Sequence, residues 1–376
     1  MWVQLNPGTI VVIATGMIAA IAGASGCASG GSSEVRADIR SYSDETAQVG
    51  TPSVTTSVDT GESTTVEAHW KADVISAATP VMSAPDAVTR ATEYSETRHE
   101  GSVGAEWQPR AETNIASSYT MSFEPDNLSY TGSTSVSQDF FGRSSTATLG
   151  ARLNLNEVGR SDVPDFERKL WIYGADAGWT QILSPSLLVR LSYSLAVRDG
   201  YQSNPYRYVP IWNPGADRPH LTVHENVPNQ RYRHAWESLA IWSITPHLFL
   251  RAAYRFYLDG WSISSHRLRT ALWWEHPEQW LRIRLQGRGY TQEGAHFFRT
   301  RYRDVPNFRT GDYRLAPMSS LDGGLRAIFR IGSLPGDSLL SCSASYDLVH
   351  YWLTGYPVFD SMFAHIAALS FKFELP

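Results

Sequence analysis

The chain has 376 residues and a formal net charge of −5, with 18% charged and 12% aromatic residues, including 13 Trp and 18 Tyr. That length allows several soluble domains or one medium-sized barrel. A mean hydropathy of −0.27 excludes a bundle of membrane helices, and the acidic balance gives no case for nucleic acid as a partner. The two cysteines, Cys27 and Cys342, are too few for a disulfide framework and have no zinc-ligand spacing.

Residues 8–26 form a long run of apolar and small residues. It ends in small residues, as a secretory signal does, and residues 1–27 read as a signal peptide. The segment departs from the usual pattern in having no basic residue before Arg36. Ala24-Ser25-Gly26-Cys27 resembles a lipobox with Ala24 where Leu is usual, so lipidation at Cys27 and plain cleavage nearby both stand as readings. Residues 28–62 are rich in Ser, Thr, Gly, Asp and Glu and read as a disordered periplasmic linker.

From residue 63 to 376 the pattern is that of an all-β, antiparallel transmembrane β-barrel of about 14 strands. The expected strands are Ser63–Ile75, Arg98–Gln108, Glu112–Glu124, Asn127–Phe140, Thr146–Val158, Lys169–Leu183, Ser186–Arg198 and Arg231–Thr245, followed by three strands between His247 and Tyr290. Ser320–Gly332, Ser338–Trp352 and Met362–Leu375 complete the set. Side chains alternate between the two faces of a strand. In the last of the three central strands Leu281, Ile283 and Leu285 therefore oppose Arg282, Arg284, Gln286 and Arg288. Tryptophans gather at the strand ends: Trp261, Trp273, Trp274 and Trp280. Apolar outside, polar inside and aromatic at the rims is the barrel arrangement; a soluble sandwich would put its arginines outside.

The connections give an independent argument. Short ones (Gln108–Ala111, Phe141–Ser145, Ser184–Pro185, Thr245–Pro246, Glu275–Gln279, Ser333–Asp337) alternate with the positions that hold every long one (Ser76–Thr97, Gly159–Arg168, Asp199–Gln230, Glu293–Ser319, Thr354–Ser361). Long extracellular loops, short periplasmic turns and termini in the periplasm of a Gram-negative outer membrane produce that parity. The amphipathic, aromatic-rich C-terminal strand resembles the signal read by the outer-membrane assembly machinery, although the chain ends Phe373-Glu374-Leu375-Pro376 rather than in an aromatic residue.

Short motifs in the expected order carry a family resemblance: Ser76-Ala77-Ala78-Thr79-Pro80, Glu96-Thr97-Arg98, Gly200-Tyr201 with Asn204-Pro205-Tyr206-Arg207, Tyr254-Arg255-Phe256-Tyr257 with Asp259-Gly260-Trp261, and Arg288-Gly289-Tyr290-Thr291-Gln292. Over roughly residues 55–376 the chain resembles the Gram-negative outer-membrane proteins grouped as domain of unknown function 3570. The resemblance implies an outer-membrane barrel and brings no activity, cofactor or catalytic residue.

The charge of the expected inner face is the main functional signal. Later strands place Arg231, Arg233, Arg251, Arg255, Arg267, Arg269, Arg282, Arg284, Arg288, Arg326 and Arg330 there, against only Glu237, Asp259 and Asp322. The first two expected strands place Glu67, Asp73, Glu100 and Glu106 there, partly balanced by Lys71 and Arg98. Since the first strand adjoins the last in a closed barrel, a basic wall faces a more acidic one. Unpaired arginines in a narrow lumen attract anions, so the leading reading is a channel or transporter for a small anionic solute. The alternative is a sealed barrel whose arginines are paired, serving as an anchor or scaffold for periplasmic or surface proteins. Outer-membrane lipid and lipopolysaccharide are the expected surroundings, and no cofactor or metal is implied.

A surface hydrolase is the third class. His266 follows Ser264 and Ser265, and His99 lies beside Glu100, but there is no Gly-x-Ser-x-Gly elbow and no triad can be picked. The stretch Asp199–Gln230 holds Tyr201, Tyr206, Tyr208, Trp212, His220 and His224, and reads as a constriction or a binding loop. A metal at His220 and His224 would need further ligands.

Overall fold

In a computed structural model, the described residues are 32–79, 92–216, 218–334, 338–353, 356 and 360–375. Strands β1 (Ser33–Ser43), β2 (Ala47–Asp59), β3 (Thr64–Thr79), β4 (Thr92–Arg110), β5 (Thr113–Glu124), β6 (Asn127–Phe140), β7 (Ser145–Val158), β8 (Arg168–Ser184) and β9 (Leu187–Gly200) form the first part of one sheet. A separate hairpin of β10 (Tyr208–Trp212) and β11 (Pro219–His224) follows. Strands β12 (Gln230–Thr245), β13 (Leu248–Asp259), β14 (Ser264–Glu275), β15 (Leu281–Gln292), β16 (Met318–Leu334), β17 (Ser338–Leu353) and β18 (Ser361–Leu375) complete the sheet. It closes antiparallel, β1 against β18, into a barrel of 16 strands. Among the described residues no helix is long and apolar enough to cross a membrane; crossing falls to the strands.

The barrel strands from β3 onward match the sequence reading, with ends shifted by as much as the six residues at the start of β4, while β10 and β11 lie in the stretch Asp199–Gln230 that reads as a connection. The count of about 14 is corrected to 16, because the linker expected over residues 28–62 contains β1 and β2. In β1, Val35, Ala37 and Ile39 take one face, and Glu34, Arg36, Asp38 and Arg40 the other. In β2 the inner face is Thr51, Ser53, Thr55 and Ser57, which lie opposite Arg40, Asp38, Arg36 and Glu34. A lumen accepts Ser, Thr and paired charges, so a composition that suggests disorder in a soluble chain is here one wet barrel wall. β3 consequently adjoins β2 and β4 rather than β18. The expected signal peptide and the lipidation residue Cys27 lie outside the described residues.

One face of the sheet carries the exposed large apolar residues, among them Tyr119, Leu149, Tyr173, Leu191, Leu268, Leu285, Leu325 and Leu369. This outward belt is the surface that hydrocarbon covers. By register most charged residues share the opposite face; the exceptions include Glu157, Lys169 and Asp199 at one end of β7–β9 and Arg110 past the bulge at the end of β4. Adding β1 and β2 leaves the loop parity intact. Connections 44–46 and 60–63 are both short, and every long connection still falls at the same barrel end, called the loop end below; the other is the turn end.

Gly200 closes β9 at φ +122°, and a Cβ there would lie 2.2 Å from the Lys169 carbonyl oxygen. Only glycine fits where the chain leaves the wall toward β10. Deleting residues 28–62 should abolish the folded, heat-modifiable barrel in gel-shift assays, because it removes the closing strands; a dispensable linker would leave the shift unchanged.

Candidate functional site in the lumen

Register places every sequence-proposed charge on the inner face. Successive cross-strand rows run Glu237–Arg255–Arg267–Tyr290, then Ala253–Arg269–Arg288–Asp322, then Trp273–Arg284–Arg326. Three directly opposed pairs in these rows are arginine on arginine: Arg255 with Arg267, Arg269 with Arg288, and Arg284 with Arg326. Arg231 opposite Arg198 is a fourth. Like charges directly opposite destabilise a sheet, so this wall stands against the preference of its own ladder.

Some of the arginines are neutralised. Arg267 bonds Glu237 at 2.8 Å and Arg282 bonds Glu275 at 2.7 Å. Arg288 pairs with Asp322, and Arg231 with the buried Asp259. Others find only neutral groups. Arg233 donates to the Tyr257 hydroxyl at 2.8 Å, Arg326 to Ser343 at 2.8 Å and Arg330 to Gln279 at 2.9 Å. Arg284 lies 5.2 Å from the Trp273 ring centroid. Arg251, Arg255 and Arg269 form no ion pair among the described residues. On the acidic side, Glu100 takes Lys71 at 3.1 Å and Arg98 at 3.0 Å, Asp73 accepts from Thr51 at 2.7 Å, and Glu106 accepts from Asn114. Both sealed and unsealed arginines are therefore present, the unsealed ones mostly near mid-barrel.

A cavity of about 360 Å³ collects Arg152, Arg190, Arg251 and Arg255, with Asp176, Glu237, Thr148, Ser192 and Ser194 in its wall. Glu237 is engaged by Arg267, and Asp176 accepts from Ser194 at 2.6 Å. The four guanidinium groups have no carboxylate partner among the described residues. Gly174 and Gly178 make room for two of them. A Cβ at Gly174 would touch the Arg152 side chain at 3.3 Å, and one at Gly178 would touch the Arg190 guanidinium at 3.4 Å. A second cavity of about 420 Å³ shares Thr148, Arg152 and Asp176 with the first and is lined by Ser57, Ser118, Ser133, Ser135, Glu67 and Glu106. The two cavities thus adjoin, one lined chiefly by arginines and the other by hydroxyls and carboxylates.

Sequence reasoning missed Arg152, Arg190, Arg198 and Asp176. The signal was available, since Arg152 alternates with Leu153 and Leu155, and Arg190 with Val189 and Leu191; these strands lie between the first two and the later ones from which the inner-face charge was read.

The two long loops fold together over the loop end. The stretch 201–229 carries the β10–β11 hairpin, and 293–317 carries a short 3-10 turn, Tyr313–Leu315. Val227, Trp261, Ile263, Ala295 and Phe297 form one small core, and Val209, Ile211 and Tyr302 another. The buried Glu225 accepts from Thr310 at 2.5 Å and from the Asn204 backbone at 2.7 Å, and Arg207 joins Glu225 to Asp312. Burial alone would push the Asp312 carboxyl up, but the Arg207 charge and the Arg314 hydrogen bonds outweigh it and hold the group below the usual carboxylate range. At the rim Asp259 fixes the β13–β14 turn by accepting from Tyr257, Trp261 and Ile263, while Arg231 stacks 4.1 Å from the Trp261 ring.

The hydrolase arrangement does not form. Ser265 is an inner-face residue, whereas its neighbour His266 faces outward and bonds Tyr254. Ser264 donates to Glu293. His99 faces outward between Trp70 and Phe123, away from Glu100. His224 stacks on Tyr208, 4.4 Å between centroids. Among the described residues no metal-ligating group of three gathers at His220 and His224; the one such group is Glu96, Glu124 and Asp126.

A folded-state pKa held low stabilises above the unfolded value and loses that contribution as pH falls through the folded one. Protease protection of the 201–229 and 293–317 loops should therefore hold from neutral pH to about 4 and fall only below it, as limited proteolysis would read. Asp259→Ala should destabilise the barrel by about 3–5 kcal/mol, since it leaves the Arg231 charge buried without its partner; the denaturant midpoint checks it.

Among solved structures, a bacterial polysaccharide outer membrane secretin matches with TM-score 0.51 at 9% identity, covering 91% of this chain and 97% of that one. OccK1 (OpdK) of Pseudomonas aeruginosa matches with TM-score 0.46 at 8% identity, covering 92% and 98%. The siderophore receptor PirA of Pseudomonas aeruginosa matches with TM-score 0.43 at 10% identity, covering 85% and 56%. The first likeness shows the fold alone, that of a Gram-negative outer-membrane barrel. A comparison with curated proteins finds no match. A family model spans residues 160–372, more than half of the chain and most of the arginine wall, and the chain belongs to the family described as "Protein of unknown function (DUF3570)".

Proposed function

We propose that this barrel passes a small anionic solute across the outer membrane, with its loop end outside and its termini in the periplasm. The observation that carries the reading is the mid-barrel cavity in which Arg152, Arg190, Arg251 and Arg255 have no ion-pair partner. Closely placed guanidinium groups hold carboxylate or phosphate by charge-assisted hydrogen bonds. The opposite wall of hydroxyls offers weak, replaceable bonds that let the solute leave. The four arginine-on-arginine pairs support the same reading, because they cost sheet stability, ion pairs with Glu237, Asp322 and Asp259 neutralise only one member of three of them, and a bound anion relieves the rest. On this reading β18 is the strand that the outer-membrane assembly machinery recognises.

A second reading is a sealed scaffold for a periplasmic or surface protein. The docked loops favour it, because they bring two small apolar cores over the loop end. Single-channel conductance of the refolded protein under a salt gradient separates the two. Steady anion-selective openings are expected. Changing Arg152, Arg190, Arg251 and Arg255 together to Gln should cut the anion preference several-fold while the heat-modifiable barrel persists. A folded barrel that never opens in the bilayer would sink the channel and leave the scaffold.

A further inference from the structure

Histidines recur on the outer face in a pattern that the lumen does not use. Three lie across a strand pair from a tyrosine, in the same diagonal relation. The Tyr193 hydroxyl meets His234 Nδ1 at 2.8 Å, Tyr254 meets His266 at 2.7 Å, and Tyr346 meets His365 at 2.7 Å. Each histidine sits near the loop end, with its tyrosine deeper in the apolar belt. His99 and His350 share that level and face, stacked on Phe123 and Phe363. The aromatic residues at the turn end, such as Trp107, Trp179 and Trp242, have no such hydrogen-bonded partners among the described residues.

The tyrosine sets the proton on each ring. Among the described residues these three hydroxyls have no acceptor other than the imidazole, and a phenol surrounded by hydrocarbon must donate its proton to something. It donates to Nδ1, which leaves the proton of the neutral ring on Nε2. His266 and His365 are exposed. The outer surface at this level therefore presents oriented N–H donors on three separate strand pairs. Among the described residues few carboxylates share this face: Glu157 and Asp199 lie at the ends of β7 and β9, and Glu293, one register step beyond His266, accepts from Ser264 at 3.0 Å.

We infer that this girdle binds the phosphate groups of an outer-leaflet glycolipid, with the Nε2–H of His234, His266 and His365 donating to the headgroup. The apolar belt beneath takes the acyl chains, and the tyrosine hydroxyls fix the ring orientation. The orientation of the barrel rests on the preceding proposal; the binding chemistry does not.

The test is native mass spectrometry of the detergent-solubilised barrel titrated with bis-phosphorylated lipid A or with the same lipid after phosphatase treatment. Native protein should retain the phosphorylated lipid roughly tenfold more tightly. A variant with His234, His266 and His365 changed to Phe keeps ring volume on a lipid-facing surface and should lose that margin. Equal retention of the two lipids by the native protein would overturn the proposal, and that arm needs no variant. Full retention by a heat-modifiable Phe variant would overturn it as well. Labelling of a Leu221→Cys variant on intact cells by a membrane-impermeant thiol reagent reads the orientation separately, Leu221 being exposed in that loop.

Discussion

Backbone hydrogen bonding in hydrocarbon is the constraint on which the rest depends. An unpaired N–H or C=O in lipid costs several kcal/mol, so a sheet crosses a membrane only as a closed cylinder. Here closure is supplied by β1, whose whole length pairs with β18 on one side and β2 on the other. Once the cylinder is closed, alternation along each strand becomes a division between two solvents. The outer face answers to lipid, and its strands carry leucine, tyrosine and tryptophan. The inner face answers to water and can hold what a soluble core would reject.

That freedom explains the arginine wall. In a soluble sandwich, Arg269 opposite Arg288 or Arg284 opposite Arg326 would move to the surface. A barrel leaves these residues no such exit, because turning them outward would put them in hydrocarbon. Partial remedies are visible: Asp322 takes Arg288, Ser343 takes Arg326, and the Trp273 ring lies near Arg284. Room for long guanidinium side chains comes from the opposite choice elsewhere. Gly174 and Gly178 on β8, and the serines and threonines of β5–β7, are small where Arg152 and Arg190 are large.

The amount legible in the sequence followed from the length and sharpness of each alternating run. Leu281 to Tyr290 alternates without a fault, and it forms strand β15 as its period predicts. Residues 33–59 read as a linker by composition and as strands by period: Val35, Ala37 and Ile39 mark an outer face, but Ser, Thr, Asp and Glu around them dominate the average. Loop structure was beyond the pattern altogether. Nothing local in Glu225 tells that Arg207, Thr310 and Asn204 converge on it, since Thr310 comes from a different loop far along the chain. The outward direction of His266 was implicit in its alternation with Arg267, yet the search for a nucleophile and base grouped it with Ser265 on the opposite face.

Electrostatics constrains what fills the lumen. The Nε groups of Arg198, Arg284 and Arg326 are buried and have no acceptor among the described residues. Arg152, Arg190, Arg251 and Arg255 have no carboxylate there either. Leaving even one guanidinium dry and unpaired costs several kcal/mol, and a set of them would exceed the whole stability of an ordinary domain. The described residues do not supply the missing acceptors, and on the channel reading water or a mobile anion does. The loops that pack together at the loop end do not neutralise the wall: Glu225 and Asp312 are already engaged by Arg207 and Arg314. On the proposed reading it is the middle of the barrel, rather than the loop end, that selects for negative charge.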